Sequence, residues 1–286
     1  MAPIFLKNAL QLIRFPVSAA VTFSSFTAWV VFSGALSTGS LLPMAGIFIL
    51  AAGASALNQY QERSFDARMV RTVRRTIPSG AIRPVAALLF SIFLILAGLL
   101  ILFLFAGISC FLLGLFNIFW YNGLYTRLKR KSAFAVVPGA LTGAIPVLMG
   151  WSAAGGSIFD PAAIFLSLFL FLWQMPHFWL LMLKYGDEYR AAGYPVLTDL
   201  LTEIQVKVLI MAWLTAASAI SILLILFGFF RIQVTAALVL ILNLVLFSMV
   251  FHELFRARSI RYRRIFITAN LFMLLVMGSL IADRLL

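Results

Sequence analysis

Long uncharged stretches alternate with short polar ones along this chain, and the alternation predicts its elements. A helix needs about 20 mainly apolar residues to cross a bilayer. Residues 15–61 carry no charge and are interrupted by SGALSTGSLLP, which gives two spans, roughly 16–36 and 42–62. Residues 84–126 are also uncharged and break at 106–109, giving spans at roughly 86–105 and 109–126. Residues 132–183 contain only Asp160, beside Gly155, Gly156 and Pro161, and give roughly 134–153 and 162–183. Residues 208–252 contain only Arg231 and hold a seventh and an eighth span, and residues 265–282 a ninth. The expected fold is therefore all-α, a polytopic membrane protein of about nine transmembrane helices around a central cavity.

The second and sixth spans both end in polar motifs, four spans apart, and the third–fourth and seventh–eighth are tight pairs. This predicts a single domain of two four-helix halves, roughly 15–130 and 131–255, plus a ninth helix at 264–282. Composition agrees with a membrane class. The chain is 63% hydrophobic and 11% charged, where a soluble domain has about half apolar and about a quarter charged residues. The single cysteine, Cys110, lies in an apolar stretch, so neither a disulfide framework nor a thiolate metal site is expected. The opening MAPIFLKNALQLIRF reads as a short amphipathic lead carrying Lys7 and Arg14, without a cleavable signal.

The net charge of +13 is a topological signal rather than a nucleic-acid one. With nine spans, all but Arg231 and Arg284 of the 22 Lys and Arg residues fall on the N-terminal side. The positive-inside rule then puts the N-terminus in the cytoplasm and the C-terminus outside. A bacterial plasma membrane is the expected location, with anionic lipid as a contact and no nucleic acid. Glu62, Asp66, Asp187, Glu188, Asp199, Glu203 and Glu253 share the basic side. Acids do not follow the topology rule, so their bias asks for another cause, and a metal site would supply one.

Three polar stretches carry candidate chemistry. The first is NQYQERSFDARMVRTVRRTIPSGAIRP, residues 58–84. A helix continuing through it puts Asn58, Glu62 and Asp66 on one face. Two carboxylates and an amide oxygen suit a hard cation such as Mg²⁺. Arg68, Arg71 and Arg75 follow, and forked guanidinium donors suit phosphate. Acid beside base at a membrane edge suggests a metal-bridged phosphate or diphosphate. A positive-inside loop explains the arginines well, but not the i, i+4, i+8 spacing of the oxygen ligands.

The second stretch, residues 117–132, includes Tyr125, Lys129 and Arg130, which can meet the same anion as Arg71 and Arg75. The third is FLWQMPHFWLLMLKYGDEYRAAGYPVL, residues 171–197. A continuous helix there puts His177, Lys184 and Glu188 on one face, with Asp187 about a quarter turn away, while Gly186 or Gly193 can end or bend it and Pro195 closes the segment. His177 lies about two turns inside an apolar span, where ionisable residues usually face the interior and function. Asp187 and Glu188 read equally well as solvated loop acids. The 256–264 arginine cluster shows no spaced ligand pattern and reads as topology.

These passages resemble the UbiA superfamily of intramembrane prenyltransferases, and within it the branch that prenylates haem. Residues 58–84 resemble its N-D-x-x-D-x-x-x-D motif and following R-T-x-x-R-P-x-x-x-G run. YTRLKRKS at 125–132 is similar to its Y-T-x-x-L-K-R segment, and PHFW with DEYRAAGYPVL to its P-H-F-W … D-Y-x-x-A-G-x-P-M-L segment. The order and spacing match over most of residues 10–280. Gln59 stands where the family usually has Asp, and Glu62 where the first metal-binding Asp is expected. Val196 and Thr198 replace the usual Met and Pro.

The resemblance implies transfer of a prenyl group, farnesyl by the branch, from its diphosphate to haem b, giving haem O. The alternative acceptors are an aromatic quinone precursor or another lipid. A transporter or a haem-binding relative without turnover are the non-enzymatic readings. It further implies Mg²⁺ on Asn58, Glu62 and Asp66. Arg68, Arg71, Arg75, Tyr125, Lys129 and Arg130 would then meet the diphosphate, with Lys184 and His177 in the catalytic set. His177 would orient the porphyrin or ligate its iron.

Overall fold

The computed structural model describes residues 2–286, all in helices and connecting loops. Among them nine helices are long and apolar enough to span a membrane. They are Phe15–Ser33, Thr38–Asp66, Pro84–Phe105, Gly107–Leu128, Ala133–Ala153, Pro161–Ala191, Glu203–Leu226, Gln233–Arg256 and Tyr262–Leu285. A lead helix, Ala2–Leu12, precedes the first. The chain is an integral membrane protein, and the sequence-based spans agree with the helices to within a few residues at most ends.

Burial sorts the helices into an inner and an outer group. The second, fifth and sixth are the most buried, and the third, fourth, seventh and eighth the least. Leu89, Phe93, Leu96, Leu100 and Leu104 of the third are exposed, as lipid-facing side chains are. The largest buried cluster gathers Trp151 of the fifth span, Phe169, Trp173 and Trp179 of the sixth, and Phe272 and Val276 of the ninth. Lipid tails give no hydrophobic drive for helix association, so close packing and small residues carry it. The second and third spans show this reciprocally. A Cβ at Gly53 would stand 2.8 Å from the Ile95 nitrogen, and one at Gly98 would stand 2.7 Å from the Leu50 nitrogen.

Polar groups pin the ends of the ninth span. At one end the Asp283 carboxylate accepts from the Arg231 and Ile232 amides at 2.7 and 2.9 Å and from the Thr235 hydroxyl. It thereby satisfies unpaired donors at the start of the eighth span. At the other end Arg261 and Arg264 hold the fully buried Glu253 at 2.9 and 3.1 Å. The basic cluster at 256–264 is thus partly structural. Glu253 is presented by a π-helical turn, His252–Arg256.

Two expectations change here. The sixth helix is not continuous past Lys184. Tyr185 has non-helical angles (φ −120°, ψ 18°), so the end of the helix turns away from its first part. His177 and Lys184 lie before this kink and Asp187 and Glu188 after it, so Glu188 does not continue the face of His177 and Lys184. The acidic bias is also not one site. Asp187 and Asp199 both bind Arg190 at 2.7 and 2.5 Å, Glu203 binds Lys207 at 2.7 Å, and Glu253 binds the two arginines above.

The charge asymmetry generates a topology test. A reporter enzyme fused after Leu286 is expected to be active only outside the cytoplasm. A cytoplasmic signal from that fusion would contradict a nine-span arrangement.

Candidate active site

The second span continues as helix to Asp66, well past its apolar part. Asn58, Glu62 and Asp66 therefore share a face, and all three are buried, at 1%, 3% and 4% exposure. A buried carboxylate needs a partner or it will not stay ionised. Each has one. Lys129 forms an ion pair with Glu62, and the Tyr194 hydroxyl lies 3.4 Å from the same oxygen. One guanidinium nitrogen of Arg75 reaches both Asp66 oxygens, at 2.8 and 2.7 Å. Asn58 donates to the Thr126 hydroxyl at 3.1 Å, which leaves its own carbonyl oxygen buried without a hydrogen-bond partner.

The fourth span reaches this site through a π-helical stretch, Phe119–Tyr125. Such a stretch frees a backbone carbonyl and re-aims the side chains that follow. Gln61 satisfies the Asn122 carbonyl at 3.0 Å, while the Asn122 amide donates to Ala54 of the second span at 3.0 Å. Tyr125 is buried against Gly139 of the fifth span, where any Cβ would collide with its ring. Lys129 then lies 5.7 Å from the Tyr125 ring and 5.8 Å from the Tyr194 ring. Arg130 donates to the Gln61 carbonyl at 2.7 Å and covers the Phe65 ring at 4.7 Å.

Arg14 belongs to this group, though the sequence marked it only as a membrane-edge base. It is the one non-glycine residue among those described with positive φ (48°). Its Nε is buried and unpartnered. Burial works against its charge, but Tyr121, Glu62 and Asp66 overcome that and raise its pKa. The neighbouring bases respond in the opposite sense. Burial, and after it the charge of Arg14, lowers the pKa of Arg75. Burial also lowers that of Lys129, against the pull of Glu62, with Arg14 adding to the fall. Three cations crowded in a low-dielectric mouth form a place for an anion.

The remaining candidates lie around this centre. The Arg71 amide donates to Glu188 at 3.0 Å and its guanidinium to the Tyr189 hydroxyl at 2.8 Å. Its guanidinium also lies over Tyr185 at 5.2 Å. The loop after the second span is thus strapped to the kinked end of the sixth. Lys184 is exposed and sits 4.8 Å from the centre of that same Tyr185 ring. Arg68 is exposed, and Asp187 points into solvent on Arg190. His177 is half-buried, 4.4 Å from Phe266 by ring centres, with its Nδ1 3.4 Å from the Asn270 amide of the ninth span. Lys184, seven residues on, places His177 about 10 Å deeper along the helix.

An all-oxygen donor set fits a hard cation. Among the described residues no three His, Cys, Asp or Glu side chains group as a metal cage. Glu62 and Asp66 supply two carboxylates, the number Mg²⁺ usually takes before phosphate oxygens and water complete its shell. The Asn58 carbonyl oxygen, buried and unsatisfied, is the further ligand the site offers.

A model of the UbiA prenyltransferase family matches residues 16–276. The chain belongs to that family. It is 45% identical over 153 residues to protoheme IX farnesyltransferase of Bdellovibrio bacteriovorus, covering 53% of this chain and 52% of that protein, about half of its length. It is 37% identical over 191 residues to the enzyme of the same name from Oleidesulfovibrio alaskensis, covering 67% and 68%. The fold is similar to a UbiA homologue from Archaeoglobus fulgidus bound to GPP and Mg²⁺, with a TM-score of 0.69, 15% identity, and 96% and 99% of the two chains covered.

The pairing of Lys129 with Glu62 yields a stability test. Removing one partner of a buried pair strands the other charge. Lys129→Met should destabilise the purified protein by roughly 3 kcal/mol relative to Lys129→Met with Glu62→Gln, because the second change removes the stranded carboxylate. Denaturation of both variants in detergent checks the order. Equal stability would mean that Glu62 finds another partner.

Proposed function

We propose that this protein transfers a prenyl group, farnesyl or a similar polyprenyl, from its diphosphate to a vinyl group of haem b: the allylic C–O bond breaks and diphosphate leaves, a C–C bond forms to the vinyl carbon, and water captures the cation left beside the ring as a hydroxyl, giving haem O. One observation carries the reading. Two buried carboxylates and an unsatisfied amide oxygen share one helical face, and the bases paired with those carboxylates, Arg75 and Lys129, are both crowded by Arg14. The names of the relatives support the acceptor, and the GPP and Mg²⁺ bound to a structural neighbour support the donor class and the metal.

In this reading Asn58, Glu62 and Asp66 hold Mg²⁺, which when bound would offset charge on the diphosphate. The chain's own cations do the rest. Lys129 and Arg75 exchange their carboxylates for phosphate oxygens, and Arg14 turns its unpartnered nitrogen to the same anion. As the allylic C–O bond breaks, negative charge builds on the departing diphosphate, and fixed cations in a water-poor mouth stabilise it most at that point. Arg71 and Glu188 close the mouth by strapping the two polar loops. Excluding water protects the allylic cation from premature capture. The acceptor lies deeper, towards His177 and Asn270, where the imidazole orients a porphyrin edge. Arg68, Arg130 and Lys184 ring the entrance and attract the anion. Tyr125 supports Lys129.

The test is chemical. Mass spectrometry of haems from cells expressing the chain should show haem O, the farnesylated product. Asp66→Asn keeps the side chain's size but loses the charge that holds both Arg75 and the ion. It should lower turnover by about 100-fold or more, the range set by loss of one electrostatic group in a closed site. Prenylation of an aromatic acid with no haem O would redirect the acceptor assignment. Wild-type turnover in Asp66→Asn would displace the site.

A further inference from the structure

We propose that Gln59 is a positioning residue for Arg14, acting through the backbone of the corner between the lead helix and the first span. This rests on the reading that Arg14 meets the diphosphate.

The last carbonyls of any helix lack partners within it. At the end of the lead helix these are the carbonyls of Gln11 and Leu12. The Gln59 side chain, 1% exposed, donates one amide nitrogen to both, at 2.9 and 2.7 Å. The backbone of the corner is bonded locally, while the Gln59 carbonyl oxygen stays buried without a partner. The Arg14 amide reaches the Gln11 carbonyl at 3.2 Å, the Ser18 hydroxyl reaches the Ile13 carbonyl at 2.9 Å, and the Val17 amide reaches the Arg14 carbonyl at 2.8 Å. Leu12, 1% exposed, packs with Ala56, Ile77 and Ala87.

Arg14 follows in the left-handed conformation (φ 48°, ψ 55°). A residue with a Cβ adopts that conformation only when its surroundings hold it there. The hold runs through Gln59, one residue after Asn58 on the helix that carries the acid face. The same helix therefore sets both the carboxylates and the cation that opposes them. The chemistry at position 59 is specific. Two acceptors converge there, so the side chain must be a donor with two hydrogens on one atom. A neutral amide meets this, and its orientation is fixed because the reverse would face oxygen with oxygen. A carboxylate at 59 would repel both carbonyls. This explains glutamine at the position where the resembled motif carries aspartate.

The experiment uses full-length protein in detergent and Mg²⁺ with inorganic pyrophosphate as the probe. Calorimetry compares wild type, Gln59→Met, Arg14→Ala and the double variant. Hydrogen exchange of residues 11–18 reports the corner without any ligand. Gln59→Met should speed exchange at 14–18 and weaken pyrophosphate binding by about tenfold, the ratio for one ordinary buried hydrogen bond. Gln59→Glu should weaken it further. In the Arg14→Ala background the Gln59 change should have no added effect on binding. A purely structural role predicts the same loss in both backgrounds, and that result overturns the proposal, as does unchanged exchange in Gln59→Met. If the wild type binds no pyrophosphate, the diphosphate reading itself falls, and the positioning role falls with it.

Discussion

Glu62 and Asp66 lie buried at the end of the second span, and neither can stay charged there alone. Taking a carboxylate out of water costs several kcal/mol per ion unless a cation and further hydrogen bonds repay it. Much of the architecture at this end supplies that repayment. Lys129 arrives from the fourth span, through a π-helical turn that the Gln61–Asn122 exchange makes tolerable. Arg75 arrives from the following loop and takes both oxygens of Asp66. Tyr194 arrives from beyond the sixth span. The pairs are stable but not complete, because Asn58 keeps an unsatisfied oxygen and Arg14 an unsatisfied nitrogen.

The two polar loops meet over this cluster. The backbone of Arg71 is fixed by Glu188, and its guanidinium lies across the tyrosines that follow the kink. The kink at Tyr185 is thus functional in this account. It turns Tyr189 and Glu188 towards the first motif, while His177, before the kink, stays among aromatic rings with Asn270. The kink thus divides the sixth span into a half that faces the first polar motif and a half that stays among aromatic side chains. Trp173 and Phe266 both pack against the His177 ring.

The spans were legible because each is a long uncharged run, and the face of Asn58, Glu62 and Asp66 because helical spacing carries into the loop. What escaped depends on tertiary context. The sequence gives no local signal that Arg14 would turn left-handed, and a base one residue before a span reads as an anchor. Gln59 looked like a departure from a metal motif, whereas its amide closes a corner. Gly186 and Gly193 both offered a place for the sixth helix to bend, and only the structure shows that the bend falls at Tyr185, beside the first of them. The acids at 187, 199, 203 and 253 could not be told from ligands by position alone. Only their ion pairs with Arg190, Lys207, Arg261 and Arg264 show them bound elsewhere.

The central claim is that Glu62 and Asp66 are present as charges for an ion and its diphosphate, not as structural acceptors. Diphosphate release from farnesyl diphosphate across a Mg²⁺ titration, for Glu62→Asp and Glu62→Gln, tests it most directly. The account predicts that Asp retains activity with a shifted Mg²⁺ dependence and that Gln loses far more, because it keeps the length but not the charge. Equal or higher activity in the Gln variant would contradict it.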